Sequence, residues 1–176
     1  MASTLFDANL YITFHITPLW IWISVIAAIV TVIVLLLRKM DLLSAVCWGF
    51  MCAYMILLLA MTLFCRRPDS VSHVKLAPFW TIRELFQGNM KYLSGLIVNV
   101  LMFIPVGIAL CALMKGSIKK SVIAALALSV MIELLQFAGK RGLCETDDVI
   151  HNVEGALIGM AVYSLVRHQN SSGEKL

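Results

Sequence analysis

Charge is scarce in this 176-residue chain: Asp, Glu, Lys and Arg make up 14% of it, against 61% hydrophobic residues. Soluble domains of this size are nearer half apolar, so the deficit of charge, with a mean hydropathy of +0.92, points to a membrane protein. Several functional signatures are missing as well. No CxxC pair or metal-ligand spacing appears among the five cysteines, and no HExxH motif is present. The absence of GxSxG and of a Gly-rich phosphate loop removes the common nucleophile-elbow and nucleotide-binding readings. There is no internal repeat, which weakens a carrier built from symmetric halves. The basic residues are scattered between apolar runs, so they read as topology signals and exclude a nucleic-acid surface. Residues 1–17 hold no Lys or Arg, and the first apolar run is too long for a signal-peptide core, so it reads as a retained anchor.

What the chain has in quantity is apolar runs. About 20 such residues cross the hydrocarbon core as a helix. Five segments qualify: Pro18–Leu37, Leu42–Phe64, Leu93–Met114, Ser121–Ala138 and Val149–Val166. The fold class is therefore an all-α integral membrane protein of one domain over residues 1–176, with a polar tail at 168–176 whose last stretch, NSSGEKL (170–176), reads as disordered. Counting basic residues on alternate sides gives a tie, which the basic-free N-terminal tail tips toward an outward N-terminus. Between the second and third spans, Thr81-x-x-Glu84 has the form of a capping box, with Trp80 and Leu85 as a staple and Gly88-Asn89 as a stop. These features predict a short interfacial helix over Ile82–Gln87.

The polar residues of the spans concentrate in one stretch, IELLQFAGKRGLCETDDVIHN, Ile132–Asn152. Ser129, Glu133, Gln136 and Lys140 recur at steps of four, three and four residues and share one helix face. A carboxylate at Glu133 inside a span costs about 2.5–3.5 kcal/mol at mid-helix and needs a donor; Asn99, Gln136, Lys140 and Arg141 are the candidates. The fifth span opens with Thr146-Asp147-Asp148, where acids suit the helix dipole, and Thr146 or Asp147 is the expected N-cap. Asp148, Asn152, Gly155 and Gly159 form one stripe, whose GxxxG admits close helix approach. Asp147, His151, Glu154 and Ile158 form the next. In the third span, Pro105 cannot donate to the carbonyl of Leu101, so a kink is expected there. Asp147, His151 and Glu154 could hold a divalent ion by spacing, but no ligand motif supports one, and neither a metal nor a cofactor is expected.

The segments KLAPF (75–79), NVLMFIPVG (99–107), IELLQ (132–136), RGLCETDDVIHN (141–152) and GALIG (155–159) together resemble the VanZ-like family, over a core of residues 76–159. The resemblance implies a helical, membrane-embedded protein of the bacterial cytoplasmic membrane. The family's founding member is associated with low-level resistance to teicoplanin, a glycopeptide acting on the cell-surface precursor of peptidoglycan. Carried over by position, the family's polar core falls on Asn99, Glu133, Gln136, Arg141, Glu145, Asp147, Asp148 and Asn152. Trp80, His151 and Glu154 depart from the pattern of relatives. Three functional readings stay open. The first is an envelope protein that lowers glycopeptide action through an outward polar pocket. The second is an intramembrane enzyme using paired carboxylates on a lipid-linked or cell-wall substrate. The third is a small transporter. Beside them stands a purely structural network joining helices. The partners implied are membrane lipid and a lipid-linked cell-wall precursor or a glycopeptide, with the oligomeric state open.

Overall fold

The structure is a computed structural model, and it describes residues 18–64, 74–141 and 144–173. The N-terminal tail and the basic pair Arg66-Arg67 lie outside the described residues. Six helices dominate: α1 (Pro18–Leu37), α2 (Leu42–Leu59), α3 (Trp80–Phe86), α4 (Leu93–Leu113), α5 (Ile118–Ala138) and α6 (Thr146–Gly173). A π-helical turn, Ala60–Phe64, prolongs α2, and a 3-10 turn, Met90–Tyr92, leads into α4. Five of these elements are long and apolar enough to cross a membrane. Two short strands, β1 (Val74–Lys75) and β2 (Cys144–Glu145), pair in parallel, Val74 with Cys144 and Lys75 with Glu145. Of the tail expected to be disordered, residues 170–173 instead continue α6, which runs to Gly173. Contacts divide the chain into two compact units: residues 1–71 with 138–142, and residues 72–137 with 143–176.

The first unit is a helical hairpin. Ser24 is the one buried residue of α1, while Leu19, Trp22, Ile26 and Leu37 are exposed, as a lipid-facing helix requires. Its hydroxyls turn back onto their own helix, Ser24 to the carbonyl of Ile21 (2.7 Å) and Thr31 to that of Ala27 (2.8 Å). Lys39 takes a left-handed conformation (φ 61°) to end α1. Asp41 then caps α2 by accepting from the Ser44 N–H (2.8 Å), and this bond holds its carboxyl below the usual range. Trp20 stacks on Phe64, 4.8 Å between centroids.

The second unit is built on the α4–α6 seam. A Cβ on Gly155 would come within 2.1 Å of the Val100 carbonyl oxygen, and one on Gly159 within 2.0 Å of the Ile104 oxygen. A Cβ on Gly107 would likewise collide with the Ala156 oxygen. Contacts that climb together, 100 with 155 and 104 with 159, make α4 and α6 parallel. The GxxxG stripe thus serves backbone-to-backbone contact, where lipid offers no hydrophobic drive and close packing supplies the attraction. Helix α4 continues across Pro105.

Candidate functional site

The polar stretch becomes three local structures. Helix α5 stops at Ala138, and Lys140 adopts φ 53° beyond its end. Lys140 is therefore an exposed turn residue and leaves the stripe. Ser129, Glu133 and Gln136 remain, all buried on one face of α5. The Asn152 amide of α6 donates to Ser129 Oγ (2.9 Å), joining the two helices in the apolar interior. One turn nearer the end of α5, Glu133 Oε2 accepts from the backbone N–H of Glu145 (3.0 Å). Glu133 is 3% exposed, so this donor meets part of the need of a carboxylate in low dielectric.

Asp147 does the opposite of what its position suggests. Helix α6 begins at Thr146, yet Asp147 caps a different helix. Its Oδ1 accepts from the Phe79 N–H (2.6 Å) and its Oδ2 from the Thr81 N–H (2.7 Å). Phe79, in the left-handed region at φ 60°, is the N-cap residue of α3 and supplies no side-chain cap. The expected capping box does not form. Thr81 lies inside α3, and Glu84 accepts from the Asn89 amide (3.0 Å) at the other end. The carboxylate of Asp147, 0% exposed, replaces the local cap and shifts the helix start to Trp80. Thr146 Oγ1 adds a bond to the Leu76 carbonyl (3.3 Å). Gly88, at φ 85°, provides the expected stop.

Around this clasp sits an aromatic corner. Trp80 is buried and meets Tyr92 edge-on, 4.8 Å between centroids, instead of stapling to Leu85. Lys75 Nζ lies 3.0 Å above the Trp80 ring, a cation–π contact. Strand pairing sets Lys75 beside Glu145. Cys144, next in the same strand, reports the local field. Burial, then the negative charges of Glu133, Asp148 and Glu145, push its thiol up from the ordinary value. Three of the expected site carboxylates thus bear on one thiol near the α5–α6 turn.

Two expected members stand apart from this group. Arg141 belongs to the first unit, where Nη1 donates to the carbonyls of Phe64 (2.8 Å) and Leu63 (3.3 Å) at the end of the π turn. Helices end on carbonyls that the helix itself does not satisfy, so Arg141 serves as a C-terminal cap for this turn. Asn99 is half-buried on α4, next to the Val100 carbonyl that rests on Gly155.

His151 was legible as a stripe residue but not as a member of the site. It is 2% exposed; Nδ1 lies 3.0 Å from Glu154 Oε2, and Nε2 is buried without a partner. Glu154 itself is exposed. The i,i+3 spacing was the available signal for this pair. Among the described residues no three His, Cys, Asp or Glu side chains converge to hold a metal ion.

No curated protein and no solved structure matched the chain. A family model, described as VanZ/LLP1, matches residues 50–167, a span that holds the clasp, the acidic turn and the α4–α6 seam. The chain therefore belongs to the VanZ/LLP1 family.

Proposed function

We propose that this protein works in the bacterial plasma membrane with the α3 and α5–α6 turn facing outward, and that it lowers the action of teicoplanin-type glycopeptides at the outer surface. The family membership supports the envelope setting. In the second unit, Lys115, Lys119, Lys120 and Arg167 occupy the end opposite the acidic turn, and basic ends favour the cytoplasmic side. That leaves the N-terminus outside. The observation that carries the reading is a pair of buried carboxylates at one end of the second unit, Glu133 bonded to the Glu145 N–H and Asp147 to the start of α3. Carboxylates there accept from the hydroxyls and amines of a sugar, a peptide or a lipid-linked cell-wall precursor. Asp147 holds α3 against this turn as its roof. Teicoplanin susceptibility of a sensitive Gram-positive host expressing the protein tests it. Resistance should rise with the wild type and vanish with Glu133→Gln plus Asp148→Asn at equal membrane levels. Unchanged susceptibility with the wild type overturns the proposal.

A second reading, an intramembrane acid–base enzyme on a lipid-linked substrate, is favoured by His151. An imidazole whose Nδ1–H is held by Glu154 presents a basic lone pair at Nε2, and that atom is buried and unpartnered. In the same host, His151→Gln would abolish resistance under this reading and leave it intact under simple binding.

A further inference from the structure

At the end of the second unit away from the acidic turn, a cavity of about 270 Å³ is lined by Gly116, Tyr163, Ser164, Arg167 and His168. It lies where α4 ends, α5 begins and the last apolar turns of α6 leave the hydrocarbon. Its chemistry is of one sign. The segments 113–121 and 160–173 contain Lys115, Lys119, Lys120, Arg167 and His168 and no Asp or Glu.

Arg167 is set in place by the backbone. Its Nη1 donates to the Lys115 carbonyl (3.0 Å). It also rests on Gly116, at φ 84°, where a Cβ would come within 2.4 Å of that nitrogen. The left-handed turn Lys115-Gly116 therefore makes room for the guanidinium as well as ending α4. A carbonyl orients the guanidinium without neutralising it, and among the described residues no carboxylate pairs with Arg167. Lys119 and Lys120 stand in the first turn of α5, where the helix dipole disfavours cations, so the local field is strongly positive. At the same ends of α4 and α6, Leu113, Leu165 and Val166 are exposed apolar side chains, 56%, 66% and 52% accessible, as the margin of a membrane span requires. A fixed guanidinium and the Tyr163 hydroxyl, set at the end of an apolar span, match a phosphate that carries acyl chains.

We propose that this cavity seats the headgroup phosphate of an anionic phospholipid, with Arg167 as its anchor. The full chain in neutral detergent, titrated with phosphatidylglycerol or phosphatidylcholine, tests this by native mass spectrometry. Wild type should retain phosphatidylglycerol over phosphatidylcholine, and Arg167→Gln should weaken that retention by about fivefold or more. Lys119→Gln plus Lys120→Gln, which removes two charges but keeps the cavity, should cost less than Arg167→Gln. Melting of each variant in phosphatidylcholine confirms that it is folded. Equal retention of the two lipids, or an Arg167→Gln variant that binds like wild type, overturns the proposal. So does a greater loss from the lysine pair, which would mean diffuse attraction. Displacement by millimolar inorganic phosphate would overturn the lipid assignment and make this a soluble-phosphate pocket.

Discussion

The two units solve the same membrane problem with different material. In the first, α1 and α2 bury little: Ser24 from one, Ala45, Gly49 and Leu58 from the other. Asp41 caps the helix three residues away, the hydroxyls of α1 serve their own helix's carbonyls, and a long reach, from Arg141 to Leu63 and Phe64, ends on backbone carbonyls. In the second, α5 alone buries Ser121, Ser129, Glu133 and Gln136, and its companion α6 buries Asp147, His151 and Asn152. Long-range bonds tie these groups together, up to 68 residues apart in the chain. A span needs no buried carboxylate in order to cross a bilayer, and burying one costs several kcal/mol before its partners offset it. The contrast lies in what each unit buries, and the family match starts at residue 50, inside α2, so that α1 lies outside it.

The glycines offer the strongest way to break this comparison. Gly155→Ala drives a Cβ into the Val100 backbone, which cannot step aside, and should cost about 1–3 kcal/mol, with Gly155→Leu abolishing the fold. Gly49→Ala in the first unit meets Val32 Cγ2 at 2.6 Å, a side chain, and the Ala28 oxygen at 3.0 Å. Helix propensity gained by alanine offsets that contact, so a change within about 1 kcal/mol is expected. Thermal unfolding in detergent measures both. Equal costs would mean that the hairpin is packed as tightly as the seam.

The caps come next. Asp147→Ala strands the buried N–H of Thr81 and the partly buried N–H of Phe79 and should cost about 2–4 kcal/mol, with α3 becoming open to protease. Asp41→Ala, at an exposed cap, should cost visibly less and leave the protease pattern unchanged. The Asp41 contribution also depends on pH. Its folded pKa lies below the unfolded value near 3.8, so its stabilisation is present above that value and fades as pH falls through the folded pKa. Melting of wild type and Asp41→Ala should therefore converge in acid.

The smallest effect concerns the thiol. With the other four cysteines replaced by serine, Cys144 should alkylate slowly at neutral pH. Glu133→Gln should accelerate it by about two- to fivefold, because one of the charges opposing the thiolate is gone. An unchanged rate would mean that burial alone sets the thiol, and that the carboxylates are less closely gathered than their shared influence implies.

Hydropathy made the spans legible almost to the residue: Pro18–Leu37 is both the expected and the observed α1. Periodicity also brought out the two stripes of α6, since Gly155 and Gly159 do meet α4 and Asn152 does meet α5. The failures share one cause. Thr81 has the sequence of a cap and Asp147 the sequence of a helix start. Which helix a carboxylate caps is decided by what lies opposite it in space, and a contact across 66 residues leaves no local trace. The partners of Arg141 are likewise distant in the chain. Its sequence neighbours are the acidic turn, while its bonds reach back to Leu63 and Phe64. Phe79 at φ 60° was not foreseeable either, because nothing but glycine announces that conformation.

The Asp147 clasp also has a consequence for biosynthesis. Thr81 leaves the ribosome 66 residues ahead of the carboxylate that will cap it, a lag on the order of several seconds at ordinary elongation rates. Until then α3 is a short peptide with open N–H groups, resting where membrane meets water. Insertion of the last span is the event that completes it. The cap of α3 is therefore a late contact of this fold, and a chain that stalls before residue 147 would carry α3 with its first N–H groups open.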